Sequence, residues 1–241
     1  MPEQLVLLPG WSFGPTALEP MRAALAAGAP DLQISVWPLP EHSSPDSWLD
    51  ALDERLPANS WLVGWSLGGM LATQLAARRG DACRGLVTMA SNPCFRARED
   101  WPSAMPAQVF DSFRESLRTD SQQTLARFGL LCSRGSSDPR GLSRQLQGCQ
   151  PQRPFDGLDA GLQLLAELDC RAALQAFAGP QLHLFAGRDA LVPAAAAEAL
   201  ADQLPQGHVQ LVADASHGFP LERPDEVAET ILAWLRGARD D

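Results

Sequence analysis

A short apolar segment that enters a helix through a glycine-rich turn constrains the fold of this chain most. Residues 60–66, "SWLVGWS", have the continuous apolar character of a strand buried on both faces. Residues 67–81, "LGGMLATQLAARRGD", follow with helical spacing of apolar residues and stop at Arg-Arg-Gly. Strands that alternate with helices in this way build parallel sheets, so the segment predicts the α/β class.

The rest of the chain repeats this alternation on both sides of a long interruption. Strands are predicted within residues 4–10, 32–40, 83–91, 180–193 and 208–218, and helices at 46–57, 194–205 and 225–237. Residues 92–169 contain no convincing strand and hold amphipathic helical stretches such as 106–120 and 122–132. We therefore expect a mostly parallel sheet with helices on both faces, formed by residues 1–91 and 170–241. Residues 92–169 are expected to form a helical insertion.

Composition excludes several classes of protein. The 241 residues are 45% apolar and 20% charged, which is ordinary for a globular domain, and no apolar run reaches the length of a membrane span. The start, "MPEQLVLLPGW", lacks the pattern of a secretion signal, so we expect a cytoplasmic protein. Five scattered cysteines without a CxxC pair favour free thiols over disulfides or a zinc site. A net charge of −10 disfavours nucleic acid and anionic membranes as partners.

Residues 64–68 fit the pattern G-x-S-x-G, in which Ser66 is a candidate nucleophile. The pattern alone is weak, but here a predicted strand precedes it and a predicted helix follows, as the chemistry requires. Close packing of strand and helix leaves no room for side chains at the two flanking positions, which explains glycine there. The alternative, a glycine-rich turn without chemistry, also fits these letters.

A serine hydroxyl needs a base, and four histidines compete for that role. His183 lies inside a predicted strand and is expected to be a packed core residue. His208 begins a strand, and His42 lies in a polar loop. His217 lies between the last strand and the last helix, at the sheet end where open α/β sheets build their sites, and we predict it as the base.

The base in turn needs a carboxylate to fix its tautomer. Asp189 follows the penultimate strand directly, whereas the rival Asp214 is only three residues from His217. The chain order Ser66, Asp189, His217 is that of the α/β-hydrolase architecture.

An oxyanion hole needs two amide donors. The N–H of Leu67, directly after the candidate nucleophile, is predicted as one donor. The N–H of Trp11, in the loop after the first strand, is predicted as the other, while its indole is free to pack in the core.

Several stretches together resemble one family of α/β-hydrolases, the BioH type, which are pimeloyl-[acyl-carrier protein] methyl ester esterases of biotin synthesis. The matching stretches are "LVLLPGW", "GWSLGG", "LVTMASNPCFRAREDWP", "QQTLARF", "GRDALVP" and "SHGFPLERP". They span nearly the whole chain, and "ASNPCFRAREDWP" at 90–102 is the most specific of them. Two departures stand out: Pro9-Gly10 replaces the His-Gly usual before the tryptophan, and "WPLPEHSSP" lacks the usual glycine-rich form.

The resemblance implies hydrolysis of the methyl ester of pimeloyl carried by acyl-carrier protein, with residues 92–169 as a cap over the site. It also implies substrate contacts at Trp11, Ser66, Leu67 and His217, and in the cap at Phe128, Gly129, Leu130, Leu131 and Cys132. No metal or organic cofactor is expected.

An arginine-rich segment in the cap bears on the partner. Residues 121–153 contain five arginines and one acid, Asp138, in a protein that has no lysine: Arg127, Arg134, Arg140, Arg144 and Arg153. On a helix, Arg140 and Arg144 share one face, and like charges there cost stability. The resemblance implies that Arg127, Arg140 and Arg144 contact the acidic carrier protein. A solvated arginine face without a partner is the alternative.

Two other functions fit the same residues. A broad short-chain carboxylesterase would use the same triad without a carrier protein. A non-catalytic receptor with a hydrolase fold would keep the pocket and lose the chemistry. A monomer is expected in each case.

Overall fold

Six strands form one sheet in the part of the chain that the structure, a computed structural model, describes: residues 3–41, 44, 46–150 and 155–240. In chain order they are β1 (Glu3–Leu8), β2 (Leu32–Val36), β3 (Ser60–Trp65), β4 (Cys83–Met89), β5 (Gln181–Ala186) and β6 (His208–Val212). Their order in the sheet is β2-β1-β3-β4-β5-β6, and every neighbouring pair is parallel. The predicted α/β class is confirmed.

Burial across the sheet follows strand position. All residues of β3 and β5 are buried, because helices cover both faces of the central strands. The edge strands β2 and β6 keep partly exposed positions. The strand predicted over 32–40 ends at Val36, ahead of Pro38, since proline cannot donate to the ladder.

Eleven α-helices surround the sheet in the described residues. They are α1 (Glu19–Gly28), α2 (Asp46–Asp53), α3 (Leu67–Arg79), α4 (Ala107–Thr119), α5 (Ser121–Ser133), α6 (Pro139–Gly148), α7 (Phe155–Glu167), α8 (Arg171–Ala176), α9 (Ala195–Gln203), α10 (Phe219–Glu222) and α11 (Pro224–Asp240). The segment that forms α1 is not predicted as a helix from its sequence. Met21 and Leu25 are its two buried residues, and two apolar residues among alanines give only a weak helical periodicity.

The strand order puts a switch point between β1 and β3. From β1 the chain moves outward to β2, and from β3 it moves in the opposite direction to β4. Loops that leave the carboxyl ends of two such strands diverge and open a crevice. This is where the loop after β1 and the β3–α3 turn meet.

Helices α4 to α7 form the segment between β4 and β5 that the sequence predicts as helical. Among its described residues there is no strand, and two isolated bridges join Arg96 to Met105 and Arg98 to Trp101. Helices α5 and α6 pack against each other. Each begins with an aspartate whose side chain accepts a backbone N–H, Asp120 for α5 and Asp138 for α6.

Other features of the described residues concern membranes, thiols and metals. None of the described helices is long and apolar enough to cross a membrane. All five cysteines are free, and Cys149 alone is not fully buried. The described residues hold no cluster of three His, Cys, Asp or Glu side chains suited to a metal ion.

Candidate active site

Ser66 occupies the turn between β3 and α3 in a strained backbone conformation. Its φ of 54° and ψ of −119° lie in a region that L-residues rarely adopt. Serine at a helix start usually caps the helix with its hydroxyl, yet Ser66 makes no such side-chain bond. Hydrogen bonds to the Ser66 backbone stabilise this conformation instead. The Ser66 N–H donates to the Met89 carbonyl at 2.9 Å, and the Ser91 hydroxyl donates to the Ser66 carbonyl at 2.9 Å.

The flanking glycines are needed because backbone passes through the space that side chains would fill. A Cβ on Gly64 would collide with the carbonyl of Gly68, and a Cβ on Gly68 would collide with the carbonyl oxygen of Leu8. Strand β1, strand β3 and helix α3 therefore meet at van der Waals distance around Ser66. This packing fixes the turn without any help from the serine side chain.

His217 and Asp189 form a buried hydrogen-bonded pair. His217 Nδ1 lies 2.8 Å from Asp189 Oδ2, and both side chains are at most 1% exposed. The second oxygen, Oδ1, accepts from the backbone N–H groups of Leu191 at 2.8 Å and Val192 at 2.9 Å. With both carboxylate oxygens engaged, Asp189 holds the imidazole in one orientation.

Trp65 joins this pair to the Ser66 turn, and sequence reasoning missed it. Its indole N–H donates to the His217 carbonyl at 2.9 Å, and the two rings lie 5.9 Å apart. Phe13 stacks on Trp65 at 4.8 Å. His217 Nε2 is buried and has no hydrogen-bond partner among the described residues. A tryptophan directly before the serine of G-x-S-x-G was the available signal.

The competing candidates lie elsewhere. Asp214 forms a surface ion pair with Arg188 at 2.6 Å. His183 is buried in β5, where its Nδ1 lies 2.8 Å from the Thr88 hydroxyl and burial lowers its pKa to about 3. His208 is exposed at the start of β6, and His42 lies outside the described residues.

The two predicted oxyanion donors belong to segments that adjoin Ser66: Leu67 follows it directly, and Trp11 follows Gly10 in the loop after β1. Neither the Leu67 nor the Trp11 amide takes part in a backbone hydrogen bond with a described residue. The Trp11 indole is buried and donates to the Leu158 carbonyl of α7 at 2.9 Å. A Cβ on Gly10 would lie 3.4 Å from Ser66 Cβ, so the loop containing Pro9 runs directly against the candidate nucleophile.

An apolar cavity of about 40 Å³ lies between this loop and the helical segment. No charged or hydroxyl side chain lines it. The lining residues are Trp11, Phe95, Met105, Val109, Phe110, Phe113, Phe128, Leu131, Leu162, Leu165 and Leu191. Trp11 follows Gly10 in the loop that packs against Ser66, and the Leu191 N–H donates to Asp189, so the cavity adjoins both segments. Ser66, Asp189 and His217 are not among its lining residues.

The five residues of α5 predicted as substrate contacts face different surroundings. Phe128 and Leu131 line the cavity. Gly129 is buried against α6, Leu130 is 55% exposed, and Cys132 is fully buried without lining the cavity. Five consecutive helical residues point in all directions, so only those one turn apart face the same space.

Arginines of α5 and α6 differ from most others in the chain. Those with a carboxylate within 4.0 Å are Arg22, Arg78, Arg79, Arg84, Arg96, Arg98, Arg114, Arg118, Arg171, Arg188 and Arg223. Among the described residues, no ion pair is formed by Arg127, Arg134, Arg140 or Arg144, and all four are exposed. Arg153 lies outside the described residues.

Comparisons with known proteins agree with the fold and the motifs. A family model described as "Alpha/beta hydrolase family" matches residues 5–230. The chain is 34% identical over 245 residues to a pimeloyl-[acyl-carrier protein] methyl ester esterase of Shewanella woodyi, covering 97% of this chain and 94% of the relative. It is 33% identical to a protein of the same name from Serratia marcescens, covering 96% and 93%.

Other matches are more distant or longer. The chain is 35% identical over 232 residues to the biotin biosynthesis bifunctional protein BioHC of Cellvibrio japonicus, of which it covers 46%. Among solved structures, a bromoperoxidase from Bacillus anthracis superposes with a TM-score of 0.86 at 19% identity, covering 98% of this chain and 92% of that one. That likeness concerns the fold. The resemblance inferred from sequence motifs is confirmed: the chain belongs to the α/β-hydrolase family and, within it, to the BioH-type pimeloyl-[acyl-carrier protein] methyl ester esterases.

Proposed function

We propose that this protein is a serine carboxylesterase that hydrolyses the methyl ester of pimeloyl-[acyl-carrier protein] in biotin biosynthesis. The observation that carries the proposal is the strained, uncapped Ser66, whose neighbour Trp65 hydrogen-bonds to His217 of the buried His217–Asp189 pair. Relatives named for this reaction, at 33–34% identity over nearly the full length, support the substrate.

In the proposed acylation step, Ser66 Oγ attacks the ester carbonyl while His217 Nε2 takes its proton. Asp189 stabilises the imidazolium through the 2.8 Å bond to Nδ1. The amides of Leu67 and Trp11 donate to the oxygen that becomes negative, and the start of α3 adds its positive dipole end. His217 then gives the proton to the departing methanol.

The second step uses the same groups. A water molecule attacks the acyl-enzyme carbonyl while His217 Nε2 accepts its proton, and the proton then returns to Ser66 Oγ as the acyl bond breaks. The products are methanol and pimeloyl-carrier protein with a free carboxyl group. The step needs no metal or organic cofactor, because proton transfer and the two amides supply the stabilisation.

Residues 92–169 act as the cap in this proposal. The cavity between α4, α5 and α7 has an entirely apolar lining, which suits the uncharged methylene chain between the ester and the carrier-bound end. Each methylene buried there is worth about 0.8 kcal/mol. Among the predicted contacts, Trp11, Phe128 and Leu131 are the ones that line this cavity.

The carrier protein is proposed to dock on the arginines of α5 and α6. The chain has 29 acidic residues against 19 arginines, so partners for arginine are plentiful, yet Arg127, Arg140 and Arg144 have none among the described residues. Arginine suits phosphate and carboxylate groups, which an acidic carrier with a phosphopantetheine arm presents. Arg134 follows Arg127 by seven residues on α5 and its end, which places it on the same side of the helix.

The test compares kcat/KM for pimeloyl-carrier-protein methyl ester with kcat/KM for a short p-nitrophenyl ester, at low and high salt. A large preference for the carrier-bound ester that falls as salt rises is the expected result. Equal turnover of the small ester, indifferent to salt, would instead favour the broad carboxylesterase. A chain that a serine-reactive phosphonate fails to label would favour the receptor.

We also propose that the protein acts as a cytoplasmic monomer. Five free thiols, four of them buried, are compatible with a reducing compartment. Sedimentation of the purified protein tests the monomer, and fractionation of cells tests the compartment.

A further inference from the structure

A single carboxylate joins the helical cap to the segment that carries His217. Glu222, the last residue of α10, accepts a hydrogen bond at Oε2 from the Ser216 hydroxyl at 3.2 Å. Ser216 is fully buried and directly precedes His217. Glu222 therefore holds the residue next to the proposed base.

The other oxygen of the same carboxylate binds the cap. Glu222 Oε1 accepts from the Ser137 backbone N–H at 2.9 Å and from the Ser137 hydroxyl at 3.0 Å. Ser137 lies in the loop between α5 and α6, just before Asp138 caps α6. Eighty-five residues of chain separate Ser137 from Glu222, so this bridge exists only in the folded protein.

Two further contacts bring the end of α5 and the α5–α6 loop against both proposed catalytic segments. The Gly218 N–H donates to the Cys132 carbonyl at 2.9 Å, at the end of α5. A Cβ on Gly135, whose φ is 96°, would collide with the carbonyl oxygen of Arg188, the residue before Asp189. The α5–α6 loop thus touches the segments of the base and of the acid.

His217 depends on such anchors because its side chain has few of its own. Its Nδ1 is bound to Asp189, and its Nε2 has no partner among the described residues. The position of the ring relative to Ser66 therefore follows from how the backbone of residues 215–219 is held. A misplacement of about 1 Å in such a site costs on the order of 100-fold in rate.

We propose that Glu222 is a positioning residue, which sets His217 against Ser66 by tying the α5–α6 loop to Ser216. The proposal rests on the proposed role of His217 as base. According to this proposal, the cap covers the substrate and also aligns His217, because the α5–α6 loop docks on the segment that carries His217. A shift of the α5–α6 loop is transmitted to His217 through Glu222.

Three substitutions of Glu222 distinguish a role as a hydrogen-bonded bridge from a role of its charge and from a general contribution to folding stability. Glu222→Gln keeps the length of the side chain and loses the charge. Glu222→Asp keeps the charge and is shorter by one carbon–carbon bond, about 1.5 Å, so it cannot span both serines. Glu222→Ala removes both. The matched control is Glu226→Ala, an exposed glutamate at the start of α11 whose ion pair with Arg223 spans 3.7 Å.

The measurements are kcat and KM for p-nitrophenyl acetate, the rate of phosphonate labelling of Ser66, and thermal unfolding. We expect Glu222→Gln to stay within about threefold of the wild-type kcat. Glu222→Asp and Glu222→Ala should lose about 10- to 100-fold in kcat and in labelling rate with KM little changed, since the ester still binds. Glu226→Ala should match the wild type.

The outcomes distinguish the two proposals. A wild-type protein that the phosphonate leaves unlabelled overturns the proposed function and the bridge with it. A labelled wild type together with wild-type kcat in Glu222→Asp overturns the bridge alone, as does a loss in Glu222→Gln equal to that in Glu222→Ala. Should Glu222→Asp fail to fold, Ser216→Ala removes one bond of the bridge, and an unchanged kcat there overturns the proposal equally.

Discussion

The turn around Ser66 and the surface of α5–α6 follow opposite rules of construction. The groups that hold the Ser66 turn are all engaged within the chain: backbone crowds the two glycines, and the Trp65 and Ser91 side chains hydrogen-bond to carbonyls. On α5 and α6 the arginines are exposed and form no ion pair with a described residue, although the chain carries ten more acidic than basic residues. The contacts that hold the first region lie within the chain, whereas the charges of the second have no partner among the described residues.

This difference predicts which measured property a substitution in each region should change. Substitutions around Ser66, where the contacts are internal, should change the free energy of unfolding and kcat. Substitutions of the unpaired arginines of α5 and α6 should change the affinity for a partner, and the size of that change should depend on salt.

Replacing Ser66 by alanine removes the proposed nucleophile and nothing that holds the turn. We expect kcat to fall at least about 1,000-fold. The free energy of unfolding should change by less than about 1 kcal/mol, because the hydroxyl makes no cap bond. Activity and urea unfolding of the purified variant test this. Turnover near that of the wild type would remove the triad from the proposal.

Gly68→Ala should damage the same turn through packing. Its Cβ would collide with the carbonyl of Leu8, and backbone of a central strand cannot move aside cheaply. We expect the free energy of unfolding to fall by about 3 kcal/mol, measured by urea denaturation. Gly148→Ala at the end of α6 is the control, because a Cβ there meets nothing within 4 Å, and it should be neutral or slightly stabilising. Equal effects of the two changes would contradict the packing argument.

The buried His183 should make stability depend on pH. Its pKa is lowered by burial from 6.5 to about 3, so between these values the unfolded chain binds a proton that the folded chain does not. Stability should therefore fall as pH drops from 6.5 toward 3, by at most about 1.4 kcal/mol per pH unit from this group.

His183→Gln should flatten that part of the stability curve, and His208→Gln, at an exposed position, should leave the slope unchanged. Urea unfolding at several pH values from 7 to 4 measures both variants. An unchanged slope in His183→Gln would show that other groups set the acid sensitivity.

Charge reversal on α6 should act on the partner alone. We expect Arg140→Glu with Arg144→Glu to lower kcat/KM for the carrier-bound ester about 10- to 100-fold at low salt and less at high salt. Turnover of p-nitrophenyl acetate should be unchanged. Arg236→Glu on α11, also exposed, is the control and should affect neither substrate. An equal loss of kcat/KM for both substrates would show that these arginines support the structure of the site rather than the binding of the carrier protein.

Much of this organisation follows from local sequence. The strand–turn–helix around Ser66 is determined by an apolar run, two glycines and an amphipathic segment, each of which acts over a few residues. Helices α4 and α5 follow from their periodicity, and the even spacing of Arg140 and Arg144 places both on one exposed face of α6. Helix α1 was missed because an alanine-rich segment with two buried apolar residues carries little pattern.

Residue types and short spacings are enough to predict the class of fold, the chain order of Ser66, Asp189 and His217, and the arginine-rich stretch at 121–153. Tertiary structure decided which side chains meet. The Asp189 bond to His217, the Trp65 bond to His217 and the Glu222 bridge to Ser137 each join segments far apart in the chain. The split of residues 128–132 between cavity, core and solvent depends on what packs against each side of α5. Such contacts depend on how whole elements pack, and no short spacing in the sequence encodes them.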